Sequence, residues 1–577
     1  MNQIQFTQSQ QAAVDSFRKF LDGNQRVMIL KGAAGTGKTT LVAEFIRILE
    51  AQKIGYCLMA PTGRAAYIIG SKTGKPAYTI HRSIYGLTKL KPTVQDSDEE
   101  DYGGLHLRFG LKSNNDSSGT VYLVDESSMV SDSFAENDTF SFGSGCLLTD
   151  LFEFAAGRKI VFFGDYAQLP PIGMNFSPAL DKDYMRRKFR CEVTEVMLRE
   201  VMRQSGDGIL LQNATRLRDD IEKRSYIEFK LTDGSDCRST DDDLLSPYYQ
   251  LFPSKPSVSS VVITYSNRKA LDYNLAMRRH YYGMDAPRLK PGELLTICRN
   301  NYSYNYELFN GNIVQVEACQ PDEEVEQRFV KVKMGKDRVE SVILRFRKVV
   351  IRFGVKGEPV SVTVRILDNF LDDPNGSLGG LLARALIVDF HNRLPVSLKS
   401  RLSEIRRWLR DKDRLTVEQK ELCEMYTYLL KADPYYNVVI CKYGYVMTCH
   451  KAQGGEWKNV FVDMGRFGGT ANEDYFRWAY TALTRASQKL WHFRSPDFNY
   501  ISNLVVEKIK QSTNLKVSTY SSETDFMSAR VKRLKEICGY VRISVSEDRS
   551  KAYQHIVSFH DEGVDNAVFQ LWYKANG

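Results

Sequence analysis

Residues 32–39 read Gly-Ala-Ala-Gly-Thr-Gly-Lys-Thr, and this spacing of glycines, lysine and threonine is typical of a phosphate-binding loop. An apolar run at 27–30 precedes the loop, and a helix-compatible run at 41–46 follows it. In a strand, loop and helix of this kind, backbone N–H groups and the positive end of the helix surround the phosphates. The sequence therefore predicts a nucleoside triphosphate site, with Lys38 at the β- and γ-phosphates and the Thr39 hydroxyl on Mg²⁺.

The composition of the chain excludes several classes of protein. With 577 residues, 43% of them hydrophobic and 26% charged, the chain is expected to form roughly three or four globular domains. It has no run of about 18 apolar residues and no signal-peptide pattern, which predicts no membrane segment and a cytoplasmic location. Its 10 cysteines form no C-x-x-C pair, so neither structural zinc nor disulfides are expected. The net charge of +9 is compatible with a polyanionic partner but does not identify one.

Two further apolar runs end in residues that are suited to phosphate chemistry. Residues 121–124 lead into Asp125-Glu126, and residues 159–163 lead into a loop that contains Gln168 and two prolines. Strands that alternate with helical segments predict a parallel α/β sheet, whose ligands lie at the carboxyl ends of the strands. At that edge Asp125 is suited to Mg²⁺, Glu126 to polarising the attacking water, and Gln168 to sensing the terminal phosphate. The pattern predicts hydrolysis of the bound nucleotide.

Several segments, taken in chain order, resemble the motifs of superfamily 1 DNA helicases, specifically the RecD/Dda-like superfamily 1B branch. The phosphate-binding loop is one of them, and the ordered set is more specific than any single motif. The others are 6–13 (Phe-Thr-x-x-Gln-x-x-Ala), 61–66 (Pro-Thr-Gly-Arg-Ala-Ala), 79–81 (Thr-Ile-His), 125–129 (Asp-Glu-Ser-Ser-Met), 164–171 (Gly-Asp-x-x-Gln-Leu-Pro-Pro), 195–204, 445–457 and 480–486 (Tyr-Thr-Ala-Leu-Thr-Arg-Ala).

This resemblance implies an α/β fold with two RecA-like parallel-sheet P-loop NTPase domains. A β-hairpin pin and an SH3-like barrel are expected to interrupt them. Residue patterns outside the family motifs add a helical insertion, and a small C-terminal α+β extension, which the resemblance does not cover, is expected to follow. The expected boundaries are 1–215 for domain 1A with the pin (1B) at 86–120, 216–289 and 441–500 for domain 2A, 290–365 for the barrel (2B), 366–440 for the helical insertion, and 501–577 for the extension.

Local patterns agree with these insertions. Asn310-Gly311 lies between two β-rich runs, which is a hairpin signal. Apolar residues at helical spacing in the helical insertion predict packing faces, namely Leu402, Ile405 and Leu409, then Leu422, Met425 and Leu429. The polar segment 131–145 is expected to be a loop. In the extension, a basic helix is expected around 530–535, with strands near 541–543 and 569–572.

The resemblance also implies the residues of the nucleotide site. Those assigned to catalysis are Lys38, Glu126, Gln168 and two arginine fingers, Arg203 and Arg485; such fingers contribute about 10³- to 10⁵-fold in comparable NTPases. The expected ligands of Mg²⁺ are Thr39 and Asp125. The full set expected to contact ATP is Gln10, Gly32, Ala33, Ala34, Gly35, Thr36, Gly37, Lys38, Thr39, Thr40, Asp125, Glu126, Gln168, Arg203, Gly454, Glu456 and Arg485.

A second set of residues is expected to contact single-stranded DNA, because it lies at or just beyond predicted strand ends. Short polar and basic side chains there suit phosphate contacts, which position a strand without reading its sequence. The set is Pro61, Thr62, Arg64, His81, Thr448 and His450. In the pin, Phe109 is the hypothetical wedge that splits the duplex.

The sequence thus predicts an ATP- and Mg²⁺-dependent motor that moves on single-stranded DNA and unwinds the duplex ahead of it, in repair or recombination. The resemblance implies movement from 5′ to 3′. Three alternatives stay open, which are a helicase subunit of an exodeoxyribonuclease complex, an RNA-acting superfamily 1 helicase and a non-motor ATP switch. The expected partners are single-stranded DNA, duplex junctions, and repair or nuclease proteins, with no membrane and with the monomer as the functional unit.

Overall fold

The computed structural model describes residues 6–572 except for 93–104, 136–139, 201–207, 241–242, 302, 305, 335–337, 356–357, 377, 411–414, 467–468, 501–543, 552–553 and 562–563. Residues up to 497 form one compact unit, and those from 498 onward form a second. Among the described helices, none has both the length and the apolar character that crossing a membrane requires.

The described strands, in chain order, are β1 (Val27–Gly32), β2 (Tyr56–Ala60), β3 (Ala77–Thr79), β4 (Tyr85–Pro92), β5 (Leu105–Leu111), β6 (Val121–Val124), β7 (Phe140–Phe142), β8 (Ile160–Gly164), β9 (Val193–Leu198), β10 (Glu228–Phe229), β11 (Cys237–Thr240), β12 (Ser260–Thr264), β13 (Leu294–Ile297), β14 (Ile313–Cys319), β15 (Glu326–Lys333), β16 (Val339–Val355), β17 (Glu358–Leu367), β18 (Cys441–Tyr443), β19 (Val446–Thr448), β20 (Trp457–Asp463), β21 (Ala486–Phe493), β22 (Phe498–Asn499), β23 (Ser544–Lys551), β24 (Gln554–Asp561) and β25 (Val564–Trp572).

The described α-helices are α1 (Gln8–Asp22), α2 (Lys38–Ala51), α3 (Gly63–Thr73), α4 (Ile80–Ile84), α5 (Leu147–Ala155), α6 (Lys182–Phe189), α7 (Ile209–Lys223), α8 (Ser246–Leu251), α9 (Asn267–Tyr282), α10 (Gly380–Arg393), α11 (Val396–Lys399), α12 (Leu402–Arg410), α13 (Val417–Ala432), α14 (Cys449–Ala452) and α15 (Glu473–Leu483).

The first sheet contains six parallel strands in the order β3-β2-β6-β8-β1-β9. Its central strands are almost entirely buried, as expected for apolar runs that helices cover on both faces. Because parallel strands end at a common edge, the phosphate-binding loop, Asp125-Glu126 and the loop with Gln168 meet there. The structure adds β3 and β9, which the sequence analysis did not assign as strands.

The second sheet contains five parallel strands in the order β11-β21-β20-β12-β19. Helix α15 lies between β20 and β21 in the chain and starts after Asn472, whose side chain accepts a hydrogen bond from the Tyr475 amide. The prediction of two parallel sheets of the P-loop type is therefore confirmed, whereas the exact domain boundaries stay a prediction.

The first insertion forms a hairpin of β4 and β5. A third strand, β7, pairs with β5 in parallel, from Leu107 opposite Phe140 to Phe109 opposite Phe142. The expectation that 131–145 is only a loop was therefore wrong, since the aromatic pair Phe140 and Phe142 supplies an additional edge strand. The signal was the short alternation Phe-Ser-Phe inside an otherwise polar segment.

The second insertion combines an antiparallel sheet with helices. Strands β15-β16-β14-β13-β18 form the sheet, and β17 pairs with β16. Helices α10 to α13 share a buried apolar cluster with β15 and β16, in which Ile405 and Leu409 are fully buried. Met425 was expected on a packing face but is 42% exposed, because α13 turns it away from this cluster.

The second unit, from residue 498 onward, contains a small sheet of its own. Its strands β23, β24 and β25 form an antiparallel three-stranded sheet. The strand expected near 569–572 is part of β25. The expected basic helix at 530–535 and the strand near 541–543 lie outside the described residues.

Candidate nucleotide site and strand-contact face

The phosphate-binding loop leads into α2 without any side-chain cap on the helix. Gly35 and Gly37 have positive φ angles of 83° and 80°, which glycine adopts readily and other residues rarely do. Gly37 is the N-cap, and among the described residues no side-chain cap accepts a hydrogen bond from the first turn of α2. The backbone N–H groups of that turn therefore stay available to an anion, as the phosphate-site prediction requires.

The Gln10 side chain stabilises the phosphate-binding loop through a hydrogen bond to the loop backbone. Its Nε2 atom donates a hydrogen bond to the carbonyl oxygen of Thr36, 3.0 Å away. Its Oε1 atom accepts from the Thr7 amide while its own amide donates to the Thr7 hydroxyl, which completes a capping box. Gln10 is 4% exposed, and a Cβ atom on Gly37 would lie only 2.4 Å from its Nε2 atom. The described role of Gln10 is to brace the loop, and its contact with ATP stays a prediction.

Lys38 is held over the loop that precedes it. Its Nζ atom donates to the carbonyl oxygens of Gly32 and Ala33 at 2.8 and 3.0 Å. These weak acceptors position an ammonium group at the mouth of the loop, where a phosphate would be a stronger partner.

Asp125 and Glu126 follow β6 at the same edge. Burial and the neighbouring Glu126 carboxylate raise the pKa of Asp125, and Lys38 and Lys72 partly oppose this. Glu126 has a positive φ angle of 49°, an uncommon conformation for a residue with a side chain and one that often occurs at functional sites. The Thr39 hydroxyl and the Asp125 carboxylate are oxygen donors of the kind that Mg²⁺ prefers, so this donor set fits the expected ion.

Gln168 lies on the loop after β8 and is 3% exposed. Its Nε2 atom donates to the Oδ2 atom of Asp165, 3.4 Å away, and its Oε1 atom is buried without a hydrogen-bond partner in the described part of the chain. A buried amide oxygen without a partner is costly, so this site suits a donor that arrives with the substrate.

Hydrogen bonds join this loop to the second sheet. The Leu169 amide donates to the Thr481 hydroxyl at 2.9 Å, and Gln453 Nε2 donates to the Leu169 carbonyl at 3.0 Å. Arg477 donates to the Gln168 carbonyl at 3.2 Å, and Tyr480 donates to Asp165 at 2.7 Å. Helix α15 and the residue after α14, both in the second half of the chain, therefore contact the loop of Gln168 at the predicted hydrolysis site.

The sequence analysis did not assign roles to these four residues of the second half. Gln453 lies in segment 445–457, and Tyr480 and Thr481 lie in segment 480–486, both of which resemble helicase motifs. Arg477 lies one helical turn before the second of these segments. The available signal was helical spacing on α15, which brings 477, 480, 481 and 484 to one face.

The proposed arginine fingers have different outcomes. Arg203 lies outside the described residues. Arg485 is 4% exposed, and within the described part of the chain its guanidinium donates to the Thr481 and Gly455 carbonyls and to the Thr484 hydroxyl. All three partners belong to the second half, so a finger role would require these bonds to be exchanged, and that role stays a prediction.

Gly454 and Glu456 face the first half of the chain. Gly454 has a φ angle of 70°, and a Cβ atom there would lie 3.4 Å from the Cβ of Ala65. Glu456 lies 3.9 Å from the Lys72 ammonium on α3. Their contact with ATP stays a prediction, and the described contacts are those between the two halves.

The residues expected to contact single-stranded DNA, here called the strand-contact face, are Pro61, Thr62, Arg64, His81, Thr448 and His450. Pro61 and Thr62 follow β2. The Thr62 hydroxyl caps α3 by accepting a hydrogen bond from the Ala65 amide at 3.2 Å. Thr448 is 7% exposed at the end of β19. His450, on α14, is half-buried, and burial lowers its pKa. The expected strand contacts of these four residues stay predictions.

Arg64 is placed differently from what a simple phosphate contact requires. Its guanidinium lies 4.2 Å from the centre of the Trp457 ring and donates to the Gly311 carbonyl at 3.1 Å. Burial, and then Arg485, lower its pKa to about 10, so it keeps its charge at neutral pH. Arg64 therefore links the first half of the chain to the second through Trp457 and Gly311.

His81 lies in an aromatic cluster. Its ring is 4.9 Å from that of Phe142 in an edge-on arrangement and 5.5 Å from that of Tyr85. Burial lowers the pKa of His81 to about 4, so the imidazole is neutral at pH 7 and cannot attract a phosphate as a cation.

Phe109 is at the base of the hairpin, and the wedge prediction needs correction. It pairs with Leu87, near the open end of the hairpin, and its ring stacks on that of Phe142 at 4.9 Å. It packs against both the apolar cluster of the first sheet and that of the helical insertion. A wedge requires an exposed ring near the turn, whereas Phe109 is a half-buried packing residue.

Comparison with known proteins agrees with this geometry. A family model described as an AAA domain matches residues 5–233, and one described as a UvrD-like helicase C-terminal domain matches residues 443–491. The first contains the phosphate-binding loop, Asp125-Glu126 and Gln168, and the second contains β19, β20 and α15.

Several relatives carry helicase names, and two of them illustrate the similarity. The ATP-dependent RecD2 DNA helicase of Deinococcus radiodurans is 28% identical over 148 residues, which cover 26% of this chain and 16% of that protein. The ATP-dependent DNA helicase Dda of Enterobacteria phage T4 is 24% identical over 289 residues, or 48% of this chain and 58% of that protein. The chain therefore covers less than two thirds of either relative.

Among solved structures, the Pif1 helicase from Candida albicans aligns with a TM-score of 0.39 and 14% identity, over 85% of this chain and 95% of that chain. The two family models, in this order along the chain, and the RecD2 and Dda relatives show that the chain is similar in sequence to ATP-dependent DNA helicases.

Proposed function

We propose that this chain is an ATP-dependent DNA helicase that moves on single-stranded DNA from 5′ to 3′ and unwinds the duplex ahead of it. The observation that carries the proposal is the set of hydrogen bonds between the loop at 165–169 and residues 453–481 of the second half. A nucleotide site at the junction of two sheets can convert binding and hydrolysis into a relative movement of the two halves.

The residues of the first sheet have separate roles in hydrolysis. The uncapped first turn of α2 and Lys38 bind the phosphates, and Glu126 polarises the attacking water. Thr39 and Asp125 would hold Mg²⁺, which neutralises charge on the β- and γ-phosphates when it is bound. Gln168 senses the terminal phosphate. The backbone hydrogen bonds of its neighbour Leu169 transmit this to the second half of the chain.

The strand-contact face binds the single strand, and the hairpin blocks the passage of the duplex. Thr62 and Thr448 lie at the ends of β2 and β19, one on each half, so closure of the two halves changes the spacing between two grips on the same strand. Melting the duplex costs about 0.6–2.2 kcal/mol per base-pair step, which one ATP per nucleotide covers.

The test compares unwinding of duplexes that carry a 5′ or a 3′ single-stranded tail, in DNA and in RNA, with ATP and Mg²⁺. We expect unwinding of the 5′-tailed DNA only, and loss of both unwinding and ATPase activity in Lys38→Ala. Lys53→Ala, which changes an exposed lysine at the end of α2, serves as the control and should keep both activities. Unwinding of tailed RNA, or of 3′-tailed DNA alone, would contradict the substrate or the polarity.

The pathway and the assembly belong to the same proposal. A role in repair or recombination, action as a monomer, a cytoplasmic location and association with repair or nuclease proteins stay predictions. The alternative of a nuclease-complex subunit would be supported if the purified chain unwinds DNA but copurifies with a nuclease whose activity depends on Lys38.

A further inference from the structure

Tyr480 reaches from α15 of the second half to a carboxylate of the first sheet. Its phenol donates a hydrogen bond to the Oδ2 atom of Asp165 at 2.7 Å. Tyr480 is 2% exposed and Asp165 is fully buried, so this bond is shielded from water and screening. The two residues are 315 positions apart, and the bond exists only when the two halves are together.

The same carboxylate orients Gln168. Asp165 Oδ2 also accepts from Gln168 Nε2 at 3.4 Å, and Asp165 Oδ1 accepts from the Ala167 amide at 3.1 Å. A carboxylate accepts only from donors, so it selects the amide nitrogen of Gln168 and turns the amide oxygen away. That oxygen is the buried acceptor without a partner in the described residues.

We propose that Tyr480 is a positioning residue for ATP hydrolysis, which holds Asp165 so that Gln168 presents its amide oxygen to the attacking water when the two halves close. This inference rests on the proposed ATPase function. A carbonyl-type oxygen is the group that can accept a hydrogen bond from a water and fix its direction of attack. Opening of the halves removes the phenol, frees Asp165 and leaves Gln168 without a fixed orientation.

The chemical state of the phenol agrees with this role. Burial and Asp165 raise the pKa of Tyr480 well above its ordinary value, so the hydroxyl stays a donor throughout the working pH range. The Ala34 amide of the phosphate-binding loop also faces the phenol and partly offsets this increase. Tyr480 is therefore in contact with the loop that binds phosphate and with the carboxylate that orients Gln168.

The chain offers a matched control on the same helix. Tyr475 is also fully buried, and its hydroxyl donates to the Met464 carbonyl at 2.9 Å, within the second half. Tyr480→Phe and Tyr475→Phe each remove one buried hydroxyl, but only the first removes the bond to Asp165. We expect Tyr480→Phe to lower the single-strand-stimulated kcat for ATP about tenfold with KM within about twofold, and Tyr475→Phe to leave both near wild type.

A double-mutant cycle separates positioning from a merely structural role. In a Gln168→Ala background, adding Tyr480→Phe should change kcat by less than about twofold, because the group that Tyr480 positions is already absent. If Tyr480→Phe proves unstable in thermal unfolding, Asp165→Asn gives the second measurement, since it keeps the side-chain size and should lower kcat by a similar factor.

Equal kcat values for Tyr480→Phe and Tyr475→Phe, or a full tenfold loss that persists in the Gln168→Ala background, would overturn the inference. Wild-type protein that hydrolyses no ATP in the presence of single-stranded DNA would overturn the proposed function itself, and the inference with it. The two failures are distinguishable because only the second affects the wild-type chain.

Discussion

The edge of the first sheet and the strand-contact face differ in how much of their chemistry is local. At the sheet edge, backbone conformation and strand ends set the geometry of the phosphate-binding loop, Asp125 and Glu126. Residues close by in the sequence determine both features. On the strand-contact face, Arg64 and His81 are determined by distant partners, namely Trp457, Gly311 and Phe142. A motif therefore fixes the position of a side chain along the sequence, whereas the residues that surround it in space decide its role.

The largest effect is expected at the sheet edge, from Glu126→Gln. Removing the group that polarises water should lower kcat for ATP by about 10²- to 10⁴-fold, while ATP binding remains, because Lys38 and the loop are unchanged. Steady-state kinetics and binding of a fluorescent nucleotide measure the two quantities. Glu153→Gln, on the exposed side of α5, is the matched control and should behave as wild type. Normal turnover in Glu126→Gln would show that the motif does not form the hydrolysis site.

The next effect concerns the base of the hairpin. Phe109→Ala removes a half-buried ring that contacts two apolar clusters, and it should lower the free energy of unfolding by about 2 kcal/mol. Chemical denaturation measures this change. Phe134→Ala, which removes a ring that is 67% exposed, should change it by less than about 0.5 kcal/mol. A stable Phe109→Ala variant that hydrolyses ATP normally but cannot unwind DNA would restore the wedge hypothesis.

Arg64 provides a sharper test of the strand-contact face. Arg64→Lys should destabilise the chain by about 1–2 kcal/mol, because lysine cannot both stack on Trp457 and donate to Gly311. The salt dependence of single-strand binding should keep its slope, since no phosphate contact is lost. Arg18→Lys, in an exposed ion pair with Asp15, is the control with almost no expected effect. A slope reduced by about one would instead identify Arg64 as a phosphate contact.

The smallest effect is a pH dependence from His81. Its folded-state pKa of about 4 is lower than the ordinary value of 6.5, so the unfolded chain binds the proton more readily between these values. The free energy of unfolding should therefore fall as pH decreases from 6.5 toward 4, and His81→Phe should reduce this dependence. Urea denaturation at about pH 7.5, 6 and 5 measures this pH dependence of the free energy of unfolding. An unchanged pH dependence in the variant would place His81 in contact with solvent.

The sequence predicted the first parallel sheet and the residues at its strand ends, because alternating strands and helices restrict the topology to a few choices. The second parallel sheet was expected from the family resemblance. It could not predict that Phe109 packs into two clusters, or that 140–142 forms a strand, since both depend on tertiary neighbours. The bond from Tyr480 to Asp165 is a further case, because no pattern within α15 reveals which carboxylate it meets.

The positive φ angle of Glu126 has a consequence for engineering. Glycine at this position would relax the backbone, at the cost of the carboxylate and of a more flexible denatured chain. If Glu126 has the proposed role in hydrolysis, screening variants of this chain for heat resistance alone would accept changes here that abolish turnover. Durability and the proposed activity must then be assayed together when the chain is redesigned.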